Sequence, residues 1–229
     1  MPTITDEEFG VITVRRSARA TQVRLRVAPD GTLRASMPVY APIFLLKRLV
    51  KSSRPQLRKM LEHSQPSVEY KDGQQIGKSH TLIVRSGTRT TVTRSKQHIL
   101  VTLSDDDSLT DAGVVRKIRD ASIAALRLEA KSYLPKRLQY VADQYGFRYE
   151  KVRFSHASSR WGSCSTTGTI SLNIALMKLP FELIDYVIVH ELAHTIEMNH
   201  SQDFWRLVEK GDPNYKQHRR ALKAEAPSI

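Results

Sequence analysis

The chain has a single cysteine, Cys164, among 229 residues. That scarcity excludes an intrachain disulfide framework and a zinc site built from several thiolates. Any metal would therefore have to be held by histidines and carboxylates. Long apolar runs are also missing. The most apolar early stretch, residues 43–50, is cut by Lys47 and Arg48, well short of the roughly 20 apolar residues that a membrane-spanning helix needs. Asp6, Glu7 and Glu8 stand where a secretory signal would carry basic residues and then an apolar core. These absences lead to the expectation of a soluble, cytoplasmic protein with no membrane partner. No internal repeat or low-complexity tract is present. A hydrophobic content of 40% in this length suffices for one substantial core or two small ones.

Acidic residues are scarce in one half only. Residues 1–100 carry 18 Lys/Arg against 7 Asp/Glu and residues 101–229 carry 18 against 16, so most of the net charge of +13 lies in the amino-terminal half. Such an excess is compatible with a solvated surface, and equally with attraction to nucleic acid, an acidic protein or an anionic surface.

Local patterns divide the chain at about the same place. Val23, Leu25 and Val27 alternate with charged residues, Pro29-Asp30-Gly31 is a turn signal, and residues 33–37 resume the run, which together predict a hairpin. Residues 42–62 look helical, with Pro55 starting a second helix. Further strands are expected over 81–85, 90–93 and 98–103. The acidic stretch 104–113 is the best boundary, since apolar content collapses there and the charge changes sign. Helical spacing follows over 114–134; Pro135 is expected to break or restart that helix before it runs on to Tyr145 and Gly146. Strands over 151–156 and 169–174 and helices over 180–196, 201–210 and 214–223 complete the pattern.

The segment His190-Glu191-Leu192-Ala193-His194 carries the chemistry. Histidines four apart on a helix project from one face and can ligate a single ion. Glu191, one step around, can reach a water in the open fourth position without displacing it, where a general base is needed. Zinc suits this donor set, because neutral imidazoles bind it well and three protein ligands leave one position free. The helix is apolar on most sides through Leu183, Ile184, Val187, Ile188 and Leu192. Burial of two imidazoles and a carboxylate demands partners, and one cation serves all three.

A third ligand has several candidates. Glu197, seven residues past His190, would rise about 10 Å along a straight helix and miss the same tetrahedral ion. His200 is within reach if the helix ends near Met198 and the chain reverses at Asn199, which tolerates the left-handed conformation, with Ser201 capping the next helix. His218, Asp203 and Glu209 remain alternatives, Glu209 foremost among them if the ligand comes from a following helix.

Several ordered motifs resemble one known family. Ser159-Arg160-Trp161-Gly162-Ser163-Cys164-Ser165, Gly168-Thr169-Ile170-Ser171-Leu172-Asn173, the run from Ile184 to His194, and Asn199-His200-Ser201 with Phe204-Trp205 look like the YgjP-like metallopeptidases. Arg15-Arg16-Ser17-Ala18-Arg19 and Leu25-Arg26-Val27-Ala28-Pro29-Asp30-Gly31 match that family's opening, so the resemblance spans nearly the whole chain. More distantly the chain is similar to the SprT-like proteases that act on DNA-bound proteins. The resemblance implies a zincin-type catalytic half, with one zinc ion on His190, His194 and His200 and Glu191 as catalyst. The interval from His194 to His200 equals that of metzincins, yet Glu197 stands where that group has glycine, which argues against membership of it.

The expected fold is α+β, with a small basic β-rich module over residues 1–105 and a mostly helical zincin-like catalytic half with a short β-sheet over 106–229. The expected activity is zinc-dependent hydrolysis of peptide bonds in a peptide or protein substrate. Residues 169–174 are a candidate edge strand for pairing with an extended peptide, with Asn173 offering a side-chain contact. Arg160 or Tyr215 is a candidate to stabilise the oxyanion. Trp161 and Trp205 read as core anchors, and Cys164 as a small buried residue or a latency ligand. Two rival readings are a DNA-associated protease recruited to nucleoprotein by the basic module, and a non-catalytic binding module braced by zinc; the carboxylate of Glu191 speaks against the latter.

Overall fold

The computed structural model describes residues 2–27, 32–64, 69–227 and 229. They fall into two compact units, Met1–Val68 and Glu69–Ile229. The fold is mixed α+β, as the sequence patterns suggest. Among the described residues no helix is long and apolar enough to cross a membrane.

The first unit is a four-stranded sheet with two helices. β1 (Thr3–Asp6) and β2 (Gly10–Ser17) are antiparallel, β2 runs parallel to β4 (Leu33–Pro38), and β3 (Arg24–Val27) closes the other edge against β4. The hairpin expected from residues 23–37 is therefore present, and its turn residues 29–31 lie outside the described residues. Helices α1 (Ile43–Ser52) and α2 (Arg54–Ser64) follow, with Pro55 in the first turn of α2 where its missing N–H is harmless. Ile12, Val14, Leu33, Ala35 and Met37 from the sheet close on Leu46, Val50 and Leu57 from the helices to form one core.

The second unit is organised around one long helix. β5 (Gln75–Ile76), β6 (His80–Ser86), β7 (Thr91–Ser95) and β8 (His98–Leu103) form a sheet in the order β5-β6-β8-β7, with β6 and β8 parallel. α3 then runs from Ala112 to Tyr145 and, at 1.5 Å per residue, is about 50 Å long. Its buried positions recur at helical spacing from Val114 through Ile118, Leu126, Leu134 and Leu138 to Ala142, so one stripe faces the core along its whole length. Gly146, in the left-handed conformation, ends it. Contrary to expectation, Pro135 does not break α3. The carbonyl deprived of a partner is that of Lys131, an exposed position where solvent can replace the lost bond.

The acidic stretch after β8 joins two parts of one unit instead of separating two, because β5–β8 and α3 share a single core with everything that follows. The compact units thus differ from the 1–105 and 106–229 division suggested by composition. With the division after residue 68, the charge is shared more evenly: 12 Lys/Arg against 5 Asp/Glu in residues 1–68, and 24 against 18 in the remainder. The basic half of the sequence is not one structural module.

The second half of this unit holds a three-stranded sheet, β10-β11-β9, made of β9 (Lys151–Ser155), β10 (Gly162–Cys164) and β11 (Thr169–Asn173). β11 is its central strand, parallel to β9 and antiparallel to β10. This corrects the expectation that residues 169–174 form an edge; the edges are β9 and β10. A short 3₁₀ helix (Ile174–Lys178), α4 (Phe181–Ala193), α5 (Gln202–Gly211) and α6 (Tyr215–Leu222) complete the unit.

One buried carboxylate fixes the β5–β6 turn to α3. Glu129, 7% exposed, accepts from the backbone N–H of Lys78 (2.6 Å) and Ser79 (2.9 Å), the Ser79 hydroxyl (2.8 Å) and His80 Nδ1 (2.6 Å). Burial alone would raise its pKa, but these donors outweigh it and hold the carboxyl below its ordinary value. Lys78 also donates from Nζ to the Leu179 carbonyl (2.5 Å) and lies 4.4 Å from the centre of the Phe181 ring, tying the same turn to the start of α4. Gly77 makes this approach possible: it has φ +70, and a Cβ there would lie 2.3 Å from Glu129 Oε2. Gly77→Ala is expected to destabilise the protein by about 2 kcal/mol or more, from left-handed strain and the clash together. Thermal or urea unfolding checks this, and an unchanged midpoint would contradict it.

Candidate metal centre

α4 is a buried helix that ends in polar residues. Leu183, Ile184, Tyr186, Val187, Ile188, Val189, Leu192 and Ala193 are all buried, so three sides of the helix are covered. Two anchors fix its first turns. Lys78 holds the carbonyl of Leu179 just ahead of it, and Arg137 on α3 makes a two-pronged ion pair with Asp185, at 2.7 Å to each oxygen. Those contacts set the axial position of the residues at its far end.

The helix stops at Ala193, and His194 is the residue that caps it (φ −66, ψ −14). Thr195 N–H bonds the Leu192 carbonyl and Glu197 N–H bonds the Ala193 carbonyl, so the chain turns at once. The reversal therefore begins about five residues earlier than Met198, and Asn199 does not adopt a positive φ. Ser201 accepts from Phe204 N–H and caps α5, as its position suggested. The result is that His200 comes back over the end of α4.

His190, His194 and His200 offer nitrogens that all lie within 4.8 Å of one another. Nε2 of His190 and Nε2 of His200 are 3.2 Å apart. Two imidazole nitrogens bound to one tetrahedral ion at about 2.0–2.1 Å lie about 3.3 Å apart, so this pair is close to a ligating geometry. His194 Nδ1 is 3.1 Å from the Glu197 carbonyl. That contact places the proton on Nδ1 and frees Nε2 to ligate. His190 is pushed down to about 3, first by burial and then by its neighbours His194, His200 and Arg219; His194 is also lowered, mainly by burial. Neutral imidazoles at ordinary pH are the form a metal requires.

The other candidate ligands stand elsewhere. His218 pairs with Asp212 at 2.7 Å, Asp203 with Arg206 at 2.7 Å, and Glu209 is exposed on α5; none of them belongs to the cluster.

Aromatic rings support the triad from α5. Phe204, fully buried, has its ring 5.0, 4.5 and 4.7 Å from those of His190, His194 and His200. It forms a floor under all three imidazoles, a role that its place in an amphipathic helix did not distinguish from ordinary core. Trp205 lies between His200 (5.7 Å, 28° between planes) and Tyr215 (5.4 Å, 17°). Tyr215 is only 8% exposed and stacks behind Trp205.

Glu191 faces β10. It is 6% exposed, and its Oε2 is buried with no hydrogen-bond partner among the described residues. Burial pushes its carboxyl up to about 8, with the positive charge of Arg160 offsetting only part of the effect. Gly162 leaves the room it occupies, since a Cβ there would lie 2.5 Å from Glu191 Oε1. Nearby, burial and the Glu191 charge raise the Cys164 thiol. Asn173 is fully buried: its amide donates to the carbonyls of Ala157 (2.7 Å) and Arg160 (2.9 Å) and accepts from Ala175 N–H (3.0 Å). Its polar atoms hold the loop that carries Arg160, whose side chain is exposed.

The donor set fits a divalent cation that accepts nitrogen ligands. Two buried groups here, His190 Nδ1 and Glu191 Oε2, have no partner among the described residues, and a positive charge at the triad would relieve the carboxylate electrostatically.

Comparison with known proteins agrees with this chemistry. Residues 21–225 match the family model described as the YgjP-like metallopeptidase domain. Among solved structures the chain is similar to the metallopeptidase zymogen of Pyrococcus abyssi abylysin, at 31% identity and a TM-score of 0.36, over 39% of this chain and 92% of that one. No curated protein matches it significantly. With a family match that spans most of its length and a histidine triad able to hold a metal, the chain belongs to the YgjP-like metallopeptidase family, a family of hydrolases acting on peptide bonds.

Proposed function

We propose that this chain hydrolyses peptide bonds with one zinc ion held by His190, His194 and His200, and with Glu191 as general base. The observation that carries the reading is a buried carboxyl with no partner among the described residues, next to three converging imidazoles. Zinc, when bound, supplies Lewis acidity, polarising the substrate carbonyl and acidifying water. Glu191 takes the proton from the attacking water and returns it to the departing amine. A cation at the triad favours the ionised form of Glu191, opposing the burial that raises it.

Substrate is accepted along β10. It is an edge strand of its sheet and runs past Glu191, so an extended peptide can pair with its free backbone groups. Arg160 supplies positive charge on the exposed loop beside Glu191 and is the residue available to the carbonyl oxygen as it becomes anionic. Asn173 acts through that loop, and Tyr215 acts through Trp205 on His200; both are positioning residues. A brace without catalysis would have no use for an unpartnered buried carboxylate, whose desolvation is unfavourable.

Glu191→Gln is expected to retain zinc while cleavage falls by roughly 10²–10⁴-fold. His200→Ala is expected to lose zinc on dialysis against a weak chelator. Metal analysis with a peptide-cleavage assay checks both, and sustained cleavage by the first variant or full zinc in the second would contradict the assignment.

Titration of the metal-free protein gives a separate test. Glu191 rises from 4.5 to about 8 on folding, so its contribution is complete below pH 4.5 and is lost as pH rises towards 8. His190 falls from 6.5 to about 3, so its contribution is present above pH 6.5 and is lost as pH falls towards 3. Without metal, Glu191→Gln is expected to match the parent in thermal midpoint at pH 4 and to exceed it increasingly from pH 6 to 8. Parallel midpoint curves across that range would contradict the burial of an ionisable Glu191.

A further inference from the structure

α6 and its C-cap carry four cations on one face. Lys216, Arg219, Arg220 and Lys223 follow one another at helical spacing, all are exposed, and they line an open depression of about 170 Å³. Three or four residues apart, they are neighbours that repel one another. No ion pair to any of them occurs among the described residues. The helix dipole accounts for Arg219 and Arg220 in the last turn, but it disfavours Lys216 in the first. A solvated helix surface normally interleaves carboxylates with such a stripe, and this one has none.

The stripe reaches the histidine cluster through Trp205. The Arg219 guanidinium lies 4.5 Å from the centre of the Trp205 ring, and that ring is 5.7 Å from His200 and 6.0 Å from His190. From Lys216 to the C-cap Lys223 the chain rises about 10 Å, the length of three extended peptide residues. We infer that the α6 face is a substrate subsite that takes a run of acidic side chains on one side of the scissile bond. As a statement about substrate it rests on the peptidase reading above; as a statement about binding it does not. Fixed repulsion on the free helix is relieved when carboxylates arrive, so part of the binding free energy comes from α6 itself.

The test uses a short fluorescein-labelled peptide with three consecutive glutamates, its counterpart with three glutamines, and a single-stranded oligonucleotide of comparable charge. Binding to the full chain is read by fluorescence anisotropy, with and without zinc. The glutamate peptide is expected to bind about tenfold more tightly than the glutamine peptide, as three exposed ion pairs would give. The advantage is expected to vanish in Lys216→Gln/Arg220→Gln/Lys223→Gln and to shrink in Arg220→Glu alone, with circular dichroism confirming that each variant is folded. Equal binding of the two peptides, or an advantage unchanged in the folded variants, would overturn the inference. So would tighter binding of the oligonucleotide through the same residues, which would assign the face to nucleic acid. With zinc-loaded protein, cleavage is expected to favour peptides with glutamates on one side of the cut. If the binding preference holds and neither peptide is cleaved, the subsite stands and the peptidase reading fails.

Discussion

Glu191 and His190 lie in the last turn of a helix whose other residues are almost all apolar and buried. An ionised carboxylate in such a place is unfavourable unless an opposite charge stands near it. Among the described residues the opposing charge is that of Arg160, on an exposed loop, and burial still prevails over it. The imidazole of His190 is in a similar position, with one buried nitrogen left without a partner. One cation at the meeting point of the three histidines would answer the electrostatic demand of the carboxylate, and burial already favours the neutral, ligating form of His190 and His194. Metal affinity and fold are therefore coupled through the same few groups.

Much of the second unit serves to hold those groups in register. α3 reaches α4 through the Arg137–Asp185 pair and reaches the β5–β6 turn through Glu129, while Lys78 in that turn reaches back to Leu179 and Phe181. On the other side, Asn173 fixes the loop before β10, and Gly162 lets β10 approach the Glu191 carboxyl. Phe204 supports the imidazoles from beneath, and the Trp205–Tyr215 stack holds His200 from the side. Each link is short and stereospecific. A small displacement of α4 would disturb imidazole convergence and the placement of the Glu191 carboxyl together.

The sequence was most legible where chemistry and periodicity are local. The HExxH spacing placed His190, Glu191 and His194 on one helix, and Ser201 marked the start of the next. The sequence pattern carries the helix of His190 on to about Met198, past its end at Ala193, because the turn is built from backbone bonds around Leu192 and Ala193, for which no residue type gives a signal. β10 has no signature in the sequence because Gly-Ser-Cys lacks apolar alternation, and without it the pattern of β11 is that of an edge. Nothing local distinguishes Glu129 from the other charged residues of α3, because its four donors lie about fifty residues upstream. That long-range contact is also why the acidic stretch after β8 is not the boundary between compact units. Local pattern could not reveal parallel pairings such as β6 with β8, which depend on crossover connections.

The coordination sphere itself is the most direct test of a three-histidine centre with an open position. X-ray absorption at the zinc edge of the reconstituted protein should give three imidazole nitrogens at about 2.0–2.1 Å and one further light-atom ligand, with the multiple-scattering signature of three rings. A sulfur shell at about 2.3 Å, which only Cys164 or a methionine could supply, or a count of two imidazoles, would contradict the account.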